Sequence, residues 1–349
     1  MVGKTAQRRN GATAHAPRLT RRSLLGGAAL LATALAGCGE ERPARWGGRF
    51  LTVVTTGGAL RQSLFGAIFD LFRRATGCRV QDISLPVGDI LRELRRQALV
   101  GQRQWDAVVL DAPHAALAAR ETPGLFATEG AIFAVDTLAL AYRTGPLGER
   151  APTTWDEVWS GDVPGVRLWP EDPVGLLEIA LLADGIAPGD LYPLDLDRAF
   201  ASLDRLRVQA PIWWRLSARA GSALTFGEAD LALAYGGELR AAVAAGAIAT
   251  VAPLPTPLLP LTLNLPQRTP NGDVARDFAA FVRDTAVQEA LHAQGYGTTG
   301  ALSPSAFPLD VGWWREAGGE ALARFDRWRA GSGQWEGQRS WFVSQSPVG

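Results

Sequence analysis

The residues of this sequence that are best suited to bind a ligand stand where apolar runs end. Asp111 follows the run from Ala107 to Leu110, and Tyr235 ends another such run. Asp136 interrupts a third run, where an unpaired carboxylate is rare in folded proteins, so it either faces a ligand or bonds backbone groups at a hinge. Ligands of open α/β sheets bind beyond the carboxyl ends of the strands. These three side chains are therefore predicted to share a ligand site.

A glycine pair adds a second kind of binding group. Gly57-Gly58 follows the β-rich run Phe50 to Thr55 and precedes a segment with helical spacing. A strand-to-helix turn of this kind exposes backbone N–H groups, which suit an anion or a carboxylate. Taken together, the predicted ligand-binding residues are Thr56, Gly57, Gly58, Asp111, Asp136, Asp172, Trp213, Trp214, Tyr235 and Thr262.

Several of these residues have a purely structural alternative. Adjacent residues on a strand point to opposite faces, so at most one of Trp213 and Trp214 faces a ligand. The alternative is that one tryptophan packs in the core and the other lies on the surface. Tyr235 could pack at the end of its strand, and Asp172 could cap the start of a helix.

Residues for catalysis or metal binding are sparse. The chain has three histidines and two cysteines, none of them in a metal-ligand spacing. It has no Gly-x-Ser-x-Gly elbow and no P-loop. A secreted hydrolase or transferase would have to use His114 or His292 as its base. The sequence therefore predicts no catalytic residue, no metal and no cofactor.

The first 38 residues have the layout of an export signal. A basic, acid-free segment precedes the short apolar run Leu24 to Ala36, which is too short to span a bilayer. Thr20 to Leu25 resembles a twin-arginine motif, and Leu35 to Cys38 resembles a lipobox. We predict a twin-arginine lipoprotein signal at 1–37 and a lipid anchor on Cys38. General export, or a cleaved signal with an accidental cysteine, is the alternative.

The charge of the mature chain argues against nucleic acid as a partner. The 35 basic and 35 acidic residues balance. Removing residues 1–37 takes away six basic residues and no acidic one, leaving 29 against 35, a net charge of −6. Such a chain lacks the basic surface that binds nucleic acid. Because only Cys78 remains besides Cys38, no internal disulfide framework is expected.

The order of elements predicts an α/β fold. Strand-like and helix-like segments alternate, which indicates a largely parallel sheet. Two extended apolar stretches, Ala131 to Tyr142 and Pro253 to Pro266, are predicted to cross between two lobes. The predicted division is a tether at 38–48, lobe 1 at 49–135 and 258–305, lobe 2 at 136–257 and 306–330, and a loose tail at 331–349.

Motifs along the chain resemble the solute-binding proteins of ABC importers, especially the spermidine/putrescine-type branch. The segments that carry the resemblance, from about Phe50 to Trp328, are Leu51 to Ala59, Arg74 to Val80, Pro152 to Trp159, Trp213-Trp214, Gly227 to Ala232, Leu265-Pro266 with Pro270-Asn271, Gly295 to Gly297, and Trp313 to Glu316. The resemblance implies a two-lobe periplasmic-binding-protein-like (type II) fold with a ligand cleft. It also implies that the protein delivers a small-molecule solute to ABC permease membrane subunits. Together with the export signal, this predicts a lipid-anchored protein, a monomer, outside the cytoplasm.

The resemblance is less specific about the solute. Polyamine-binding members use carboxylates for ammonium groups and aromatic faces for the methylene chain, and Asp172 and Tyr235 match two such positions. Gly175 stands in place of a second carboxylate, and Leu259-Pro260-Leu261 replaces a Trp-x-Asp. Other cationic or zwitterionic solutes, an oxyanion, a thiamine-like ligand, or a role as sensor or scaffold therefore stay open. Iron is disfavoured because no two tyrosines are adjacent.

Overall fold

The structure is a computed structural model that describes residues 45–296 and 305–331. The predicted signal at 1–37, Cys38, the tether up to residue 44, Gly297 and the tail beyond Gly331 lie outside the described residues. Among the described residues, no helix is both long enough and apolar enough to cross a membrane.

Ten strands form one mixed sheet whose main path runs β2-β1-β3-β9-β4-β7-β5-β6, with β10 beside β9 and β8 beside β4. The strands are β1 (Phe50–Thr55), β2 (Arg79–Ser84), β3 (Ala107–Asp111), β4 (Ala131–Arg143), β5 (Arg167–Pro170), β6 (Ile212–Trp214), β7 (Leu231–Tyr235), β8 (Ala249–Val251), β9 (Thr256–Asn264) and β10 (Ala306–Pro308).

Helices connect and cover these strands. They are α1 (Gly58–Leu64), a π segment (Phe65–Phe69), α2 (Asp70–Thr76), α3 (Val87–Leu99), α4 (Ala112–Glu121), α5 (Thr144–Leu147), α6 (Trp155–Ser160), α7 (Leu176–Ala183), α8 (Leu196–Arg207), α9 (Ala218–Phe226), α10 (Gly236–Ala244), α11 (Gly272–Val282), α12 (Thr285–Ala293) and α13 (Val311–Ala330), with 3-10 turns at Gly148–Arg150 and Pro188–Asp190. The predicted α/β class is confirmed by this arrangement.

Strands β4 and β9 are the two predicted crossings. They pair with each other in antiparallel register, with Asp136 opposite Leu259. Strand β9 also pairs with β3, and β4 also pairs with β7. The two long strands therefore join the β2-β1-β3 part of the sheet to the β7-β5-β6 part.

The hydrophobic core changes along these crossing strands. Phe133 and Ala134 of β4 pack in a cluster with β1 and the first helices. Leu138 and Leu140, a few residues later, pack in a second cluster with α6, α7 and α8. The change of core near Asp136 supports the lobe boundaries predicted from the sequence, which remain a proposal.

Helix α13 packs on elements from both parts of the sheet that β4 and β9 join. Trp314 and Phe325 pack in the cluster with α6, α7 and α8. On the same helix, Gly318 and Gly319 lie close enough to α4 that a methyl group on either would approach Leu117. Helix α13 is thus packed on elements from both sides of the crossing strands.

Two local patterns in the sequence can be compared with the structure. Thr154 followed by Glu157 three residues later predicts a capping box, and the structure confirms it, because Thr154 Oγ1 accepts from the Glu157 N–H and the Glu157 carboxylate accepts from the Thr154 N–H, both at 3.2 Å. Residues 272–293 are predicted to be helical, and the structure forms two helices there, α11 and α12. Asp284 accepts a hydrogen bond from the Ala286 N–H and thereby starts a new helix, α12.

Two further patterns differ from the structure. The sequence predicts a loop from Pro304 to Asp310, but Ala306–Pro308 form strand β10, which pairs with β9. The helical spacing of Leu64, Phe65, Ile68, Phe69 and Phe72 predicts that Phe65 lies on a buried face, yet it is half exposed. The π segment that starts there has a wider turn than an α-helix, so the spacing of 3.6 residues does not hold across it. Helices α4 and α9 were not predicted.

Candidate functional site

A cavity opens where the crossing strands meet the ends of β3 and β7. The space that a water-sized sphere can occupy in it is about 20 Å³, which is room for about one water molecule. Its walls are formed by Thr56, Leu60, Val109, Leu110, Asp111, Asp136, Tyr235, Glu238, Leu259, Leu261 and Tyr296. The ends of the apolar runs singled out in the sequence therefore converge on one enclosed space.

Asp136 lies at the point where β4 passes the cavity. Its carboxylate accepts hydrogen bonds from the backbone N–H groups of Thr137 (2.8 Å) and Gly237 (3.1 Å). The Nη2 atom of Arg240 is 3.9 Å away. Burial raises the pKa of Asp136 above its ordinary value, although Arg240 and the backbone donors oppose that rise. Asp136 thus bonds the backbone beside the crossing and also faces the cavity.

Asp111 forms part of a buried chain of ionisable groups. It caps α4 by accepting from the His114 N–H, and its carboxylate also lies 2.7 Å from His114 Nδ1. On the other side of the imidazole, Nε2 lies 3.2 Å from Asp172 Oδ2. Burial by itself would lower the pKa of His114, but the two carboxylates hold that pKa well above its ordinary value. The imidazole is therefore charged at neutral pH.

Asp172 has a second contact besides His114. Its Oδ1 accepts from the Val174 N–H at 2.8 Å, within the loop that leads from β5 to α7. The residue that caps α7 is Gly175, with φ +79°. Asp172 therefore orders the loop rather than capping the helix itself, and it reaches the cavity wall through His114 and Asp111.

Tyr235 contributes the aromatic side chain of the cavity. Its ring meets the Trp214 ring edge to face, with the centroids 5.5 Å apart. The Trp214 indole is itself fixed by a hydrogen bond to the Leu233 carbonyl at 2.9 Å. Burial and the surrounding carboxylates raise the pKa of Tyr235 well above its ordinary value, so its hydroxyl stays protonated. Trp214 supports the Tyr235 ring and does not line the cavity.

Two other predicted residues lie away from the cavity wall. Trp213 is buried against Phe325 and Trp328 of α13. Thr262 is also buried, and its hydroxyl donates to the Leu110 carbonyl at 2.9 Å. Both tryptophans of the pair are buried, so the alternative that one of them lies on the surface is wrong.

The glycine turn after β1 meets a carboxylate from the same chain. Glu238 of α10 is 6% exposed, and its Oε1 accepts from the Ala59 N–H at 2.8 Å. A methyl group on Gly58 would lie only 1.7 Å from that oxygen, so the contact requires glycine. The Gly57 N–H bonds to Thr55 Oγ1. Thr56, between these contacts, lines the cavity.

Three carboxyl side chains stand among the largely apolar residues of the cavity wall. Asp111, Asp136 and Glu238 line it, and Arg240 is the cation near Asp136. Leu259 and Leu261, which stand where the polyamine branch has Trp and Asp, also form part of the wall. Within the described residues, no group of three or more His, Cys, Asp or Glu side chains is arranged to hold a metal ion.

Sequence reasoning missed Glu238, Tyr296 and the role of His114. Glu238 follows the Gly236-Gly237 pair by one residue, where an acidic side chain also suits the first turn of a helix. His114 stands three residues after Asp111, a spacing that places both side chains at the start of one helix. That spacing was the available signal for His114.

A mixed α/β sheet whose two long crossing strands pass a cavity lined by carboxyl groups has the arrangement of a periplasmic-binding-protein-like fold. Comparison with known proteins supports the same fold class. The family model for bacterial extracellular solute-binding proteins matches residues 75–315. The chain belongs to this family: it is a solute-binding component of an ABC importer for a small organic ligand. It acts outside the cytoplasm and is not an enzyme.

Individual relatives share most of their length with this chain. A gamma-aminobutyric acid (GABA)-binding protein of Pseudomonas aeruginosa is 28% identical over 323 residues, which are 80% of this chain and 91% of that protein. The crystal structure of an ABC transporter substrate-binding protein from Bradyrhizobium japonicum USDA 110 has a TM-score of 0.71 at 24% identity, covering 80% and 99% of the two chains. AgtB from A. tumefaciens R10, in complex with agropinic acid, has a TM-score of 0.72 at 22% identity, covering 80% and 98%.

Proposed function

We propose that this protein captures a small amino acid of the GABA type, whose ammonium and carboxylate are separated by a short methylene chain. The observation that carries the proposal is the convergence of Asp111, Asp136 and Glu238 on one enclosed cavity. An ammonium group that leaves water for such a space needs a carboxylate partner, and this wall supplies several.

The ammonium end is assigned to Asp136, because Asp111 is already paired with His114. Asp136 has one cation nearby, at 3.9 Å, a distance at which no hydrogen bond forms. Its carboxylate therefore keeps room for an ammonium group. The face of Tyr235 can cover the methylene chain, because its ring is held by Trp214. The likeness to the GABA-binding relative supports the same class of solute.

A polyamine is the second candidate, and the acidic wall favours it. Against it stand Leu259 and Leu261 in the wall. They put apolar groups where a diamine's second ammonium would need a carboxylate. An oxyanion fits less well than either, because the carboxylates would repel it.

Titration calorimetry of the purified protein tests the proposal. GABA and its homologues with one methylene fewer or more should bind, and butane-1,4-diamine should bind more weakly. A sulfate or phosphate titration serves as the anionic comparison. Binding of an oxyanion together with no binding of any amine would overturn the proposal.

Lipid anchoring through Cys38 and twin-arginine export belong to the same proposal. An anchored protein would keep its solute close to the permease. Expression in a bacterial host with Cys38→Ser should shift the protein from the membrane fraction to the soluble fraction outside the cytoplasm. Replacing Arg21 and Arg22 with lysine should block export if the twin-arginine route is used. Unchanged fractionation and unchanged export would contradict these two points.

A further inference from the structure

Glu238 reaches across the cavity to the opposite side of the crossing strands. Its Oε1 accepts from the Ala59 N–H at 2.8 Å and from the Ser217 hydroxyl at 2.9 Å. Ala59 follows β1, whereas Ser217 and Glu238 belong to the part of the chain that contains β6 and β7. One carboxylate oxygen thus holds two donors that come from different sides of the cavity.

This carboxylate has donors but no counter-charge. Within residues 45–296 and 305–331, no ion pair to Glu238 is formed and its Oε2 atom receives no hydrogen bond. Glu238 nevertheless lines the cavity and is 6% exposed. Burial raises its pKa above the ordinary value, which is the expected response of a carboxylate without a cation. The side chain is therefore well placed to gain a cationic partner from a solute.

Glu238 blocks the backbone donor of the turn after β1. Its carboxylate accepts from the Ala59 N–H and also lines the cavity, so a solute group can reach that N–H only when the hydrogen bond to Glu238 breaks. Once this bond breaks, the Ala59 N–H is left without its acceptor.

The groups that Glu238 leaves behind define what the solute must offer. A buried donor without an acceptor weakens binding, and so does a buried carboxylate without a partner. A solute carboxylate can replace Glu238 at the Ala59 N–H and the Ser217 hydroxyl. A solute ammonium can pair with the released Glu238, beside Asp136. A solute with only one of these groups satisfies only half of the site.

We infer that Glu238 holds the position that the solute's carboxylate takes, and that it thereby selects solutes carrying both a carboxylate and an ammonium group. The inference rests on the proposed function and adds to it the placement of the solute's anionic end. Glu238 thus competes with the solute's carboxylate for the Ala59 N–H and the Ser217 hydroxyl.

Three solutes with the same four-carbon chain test this inference: GABA, butyrate and butane-1,4-diamine. Calorimetry on the wild-type protein should rank GABA first. In Glu238→Ala, the affinity for butyrate should rise about tenfold or more, because both donors become free. Glu238→Gln should show no such gain, since its amide oxygen still accepts from both donors. Glu228→Ala, a substitution of an exposed glutamate on the same side, serves as the matched control and should leave all three affinities unchanged.

The outcomes separate the inference from the proposed function. If the wild-type protein binds none of the three solutes, the proposed function fails. If it binds GABA but butyrate gains nothing in Glu238→Ala, the inference is overturned. Ser217→Ala provides a second test should Glu238→Ala fail to fold. It should weaken GABA and butyrate about fivefold and leave the diamine unchanged, and an equal loss for all three would also overturn the inference.

Discussion

The Nε2 atom of His114 lies 3.2 Å from Asp172 Oδ2, so an imidazole at the start of α4 contacts the loop between β5 and α7. The other ring nitrogen lies 2.7 Å from Asp111. Both side chains that hold the imidazole are thus carboxylates, and one of them forms part of the cavity wall. This buried chain is an electrostatic link between α4 and the loop between β5 and α7.

The His114 link should make stability fall at alkaline pH. The pKa of His114 is raised above its unfolded value of about 6.5, so the folded state binds the proton more tightly. The stabilisation is complete below about pH 6.5 and is lost as the pH rises through the folded-state pKa. Thermal unfolding of the wild-type protein between pH 6 and 10 should show this fall.

Substitution of His114 isolates its contribution. His114→Gln should lower the free energy of unfolding at pH 7 by about 3 kcal/mol, because two buried carboxylates lose their cation. The part of the alkaline fall that belongs to His114 should disappear as well. His292→Gln is the matched control, because His292 is not one of the buried ionisable groups around His114. An unchanged pH profile in His114→Gln would show that the imidazole is not the titrating group.

Asp136→Asn should change affinity and stability in opposite directions. The amide keeps an oxygen for the Gly237 N–H but loses the charge, so amine affinity should fall about tenfold or more. Since burial raises the pKa of Asp136, the ionised side chain destabilises the folded state at neutral pH. The variant should therefore unfold at the same temperature as the wild type or higher.

Calorimetry and thermal unfolding at pH 7 measure both effects of Asp136→Asn. Asp156→Asn, at an exposed carboxylate, is the matched control and should alter neither. Loss of stability together with unchanged affinity for amines would show that Asp136 acts only as a backbone anchor.

Gly58→Ala should disturb the closed cleft. The new methyl group would lie 1.7 Å from Glu238 Oε1, and the backbone at Gly58 has φ +59°, which alanine adopts at a cost of about 1 kcal/mol. We expect lower stability and, by small-angle X-ray scattering without solute, a larger radius of gyration. Gly66→Ala is the control in the same helical stretch, because nothing lies within 4 Å of its added methyl group. A radius equal to that of the wild type would contradict the expectation.

Glu178 offers a test away from the cavity. This fully buried carboxyl accepts from the Tyr192 hydroxyl (2.5 Å) and from Trp314 Nε1 (2.8 Å), and burial raises its pKa. Glu178→Ala should cost about 2 kcal/mol or more, since two buried donors lose their acceptor. Glu178→Gln keeps an acceptor and should unfold within about 1 kcal/mol of the wild type in urea. Equal losses in both variants would mean that the charge, not the acceptor, matters.

Part of the fold was predictable because β3 and β7 are buried on both faces. The continuous apolar run before Asp111 indicated β3, and the position of Asp111 after it placed the carboxylate at the sheet edge. The same reasoning placed Tyr235 after β7, and both residues line the cavity. The end of a buried strand shows in neighbouring residues, so it can be predicted from one sequence.

The other half of the site depends on contacts between distant segments. Glu238 meets Ala59 across 179 positions of sequence, and no local pattern distinguishes it from an ordinary acidic residue in a first helical turn. His114 meets Asp172 through the packing of α4 against the β5–α7 loop. Trp213 and Thr262 were candidates because they follow local patterns, but packing buries both side chains away from the cavity.

The packing of α13 on both α4 and the cluster around α7 has a consequence for the rate at which solute leaves. A side chain larger than hydrogen at residue 318 would press on Leu117, which lies outside the cavity wall. Under the proposed function, such a change would shift the balance between open and closed forms without touching the solute. We therefore expect α13 to set part of the lifetime of the bound state, at a surface that the solute never meets.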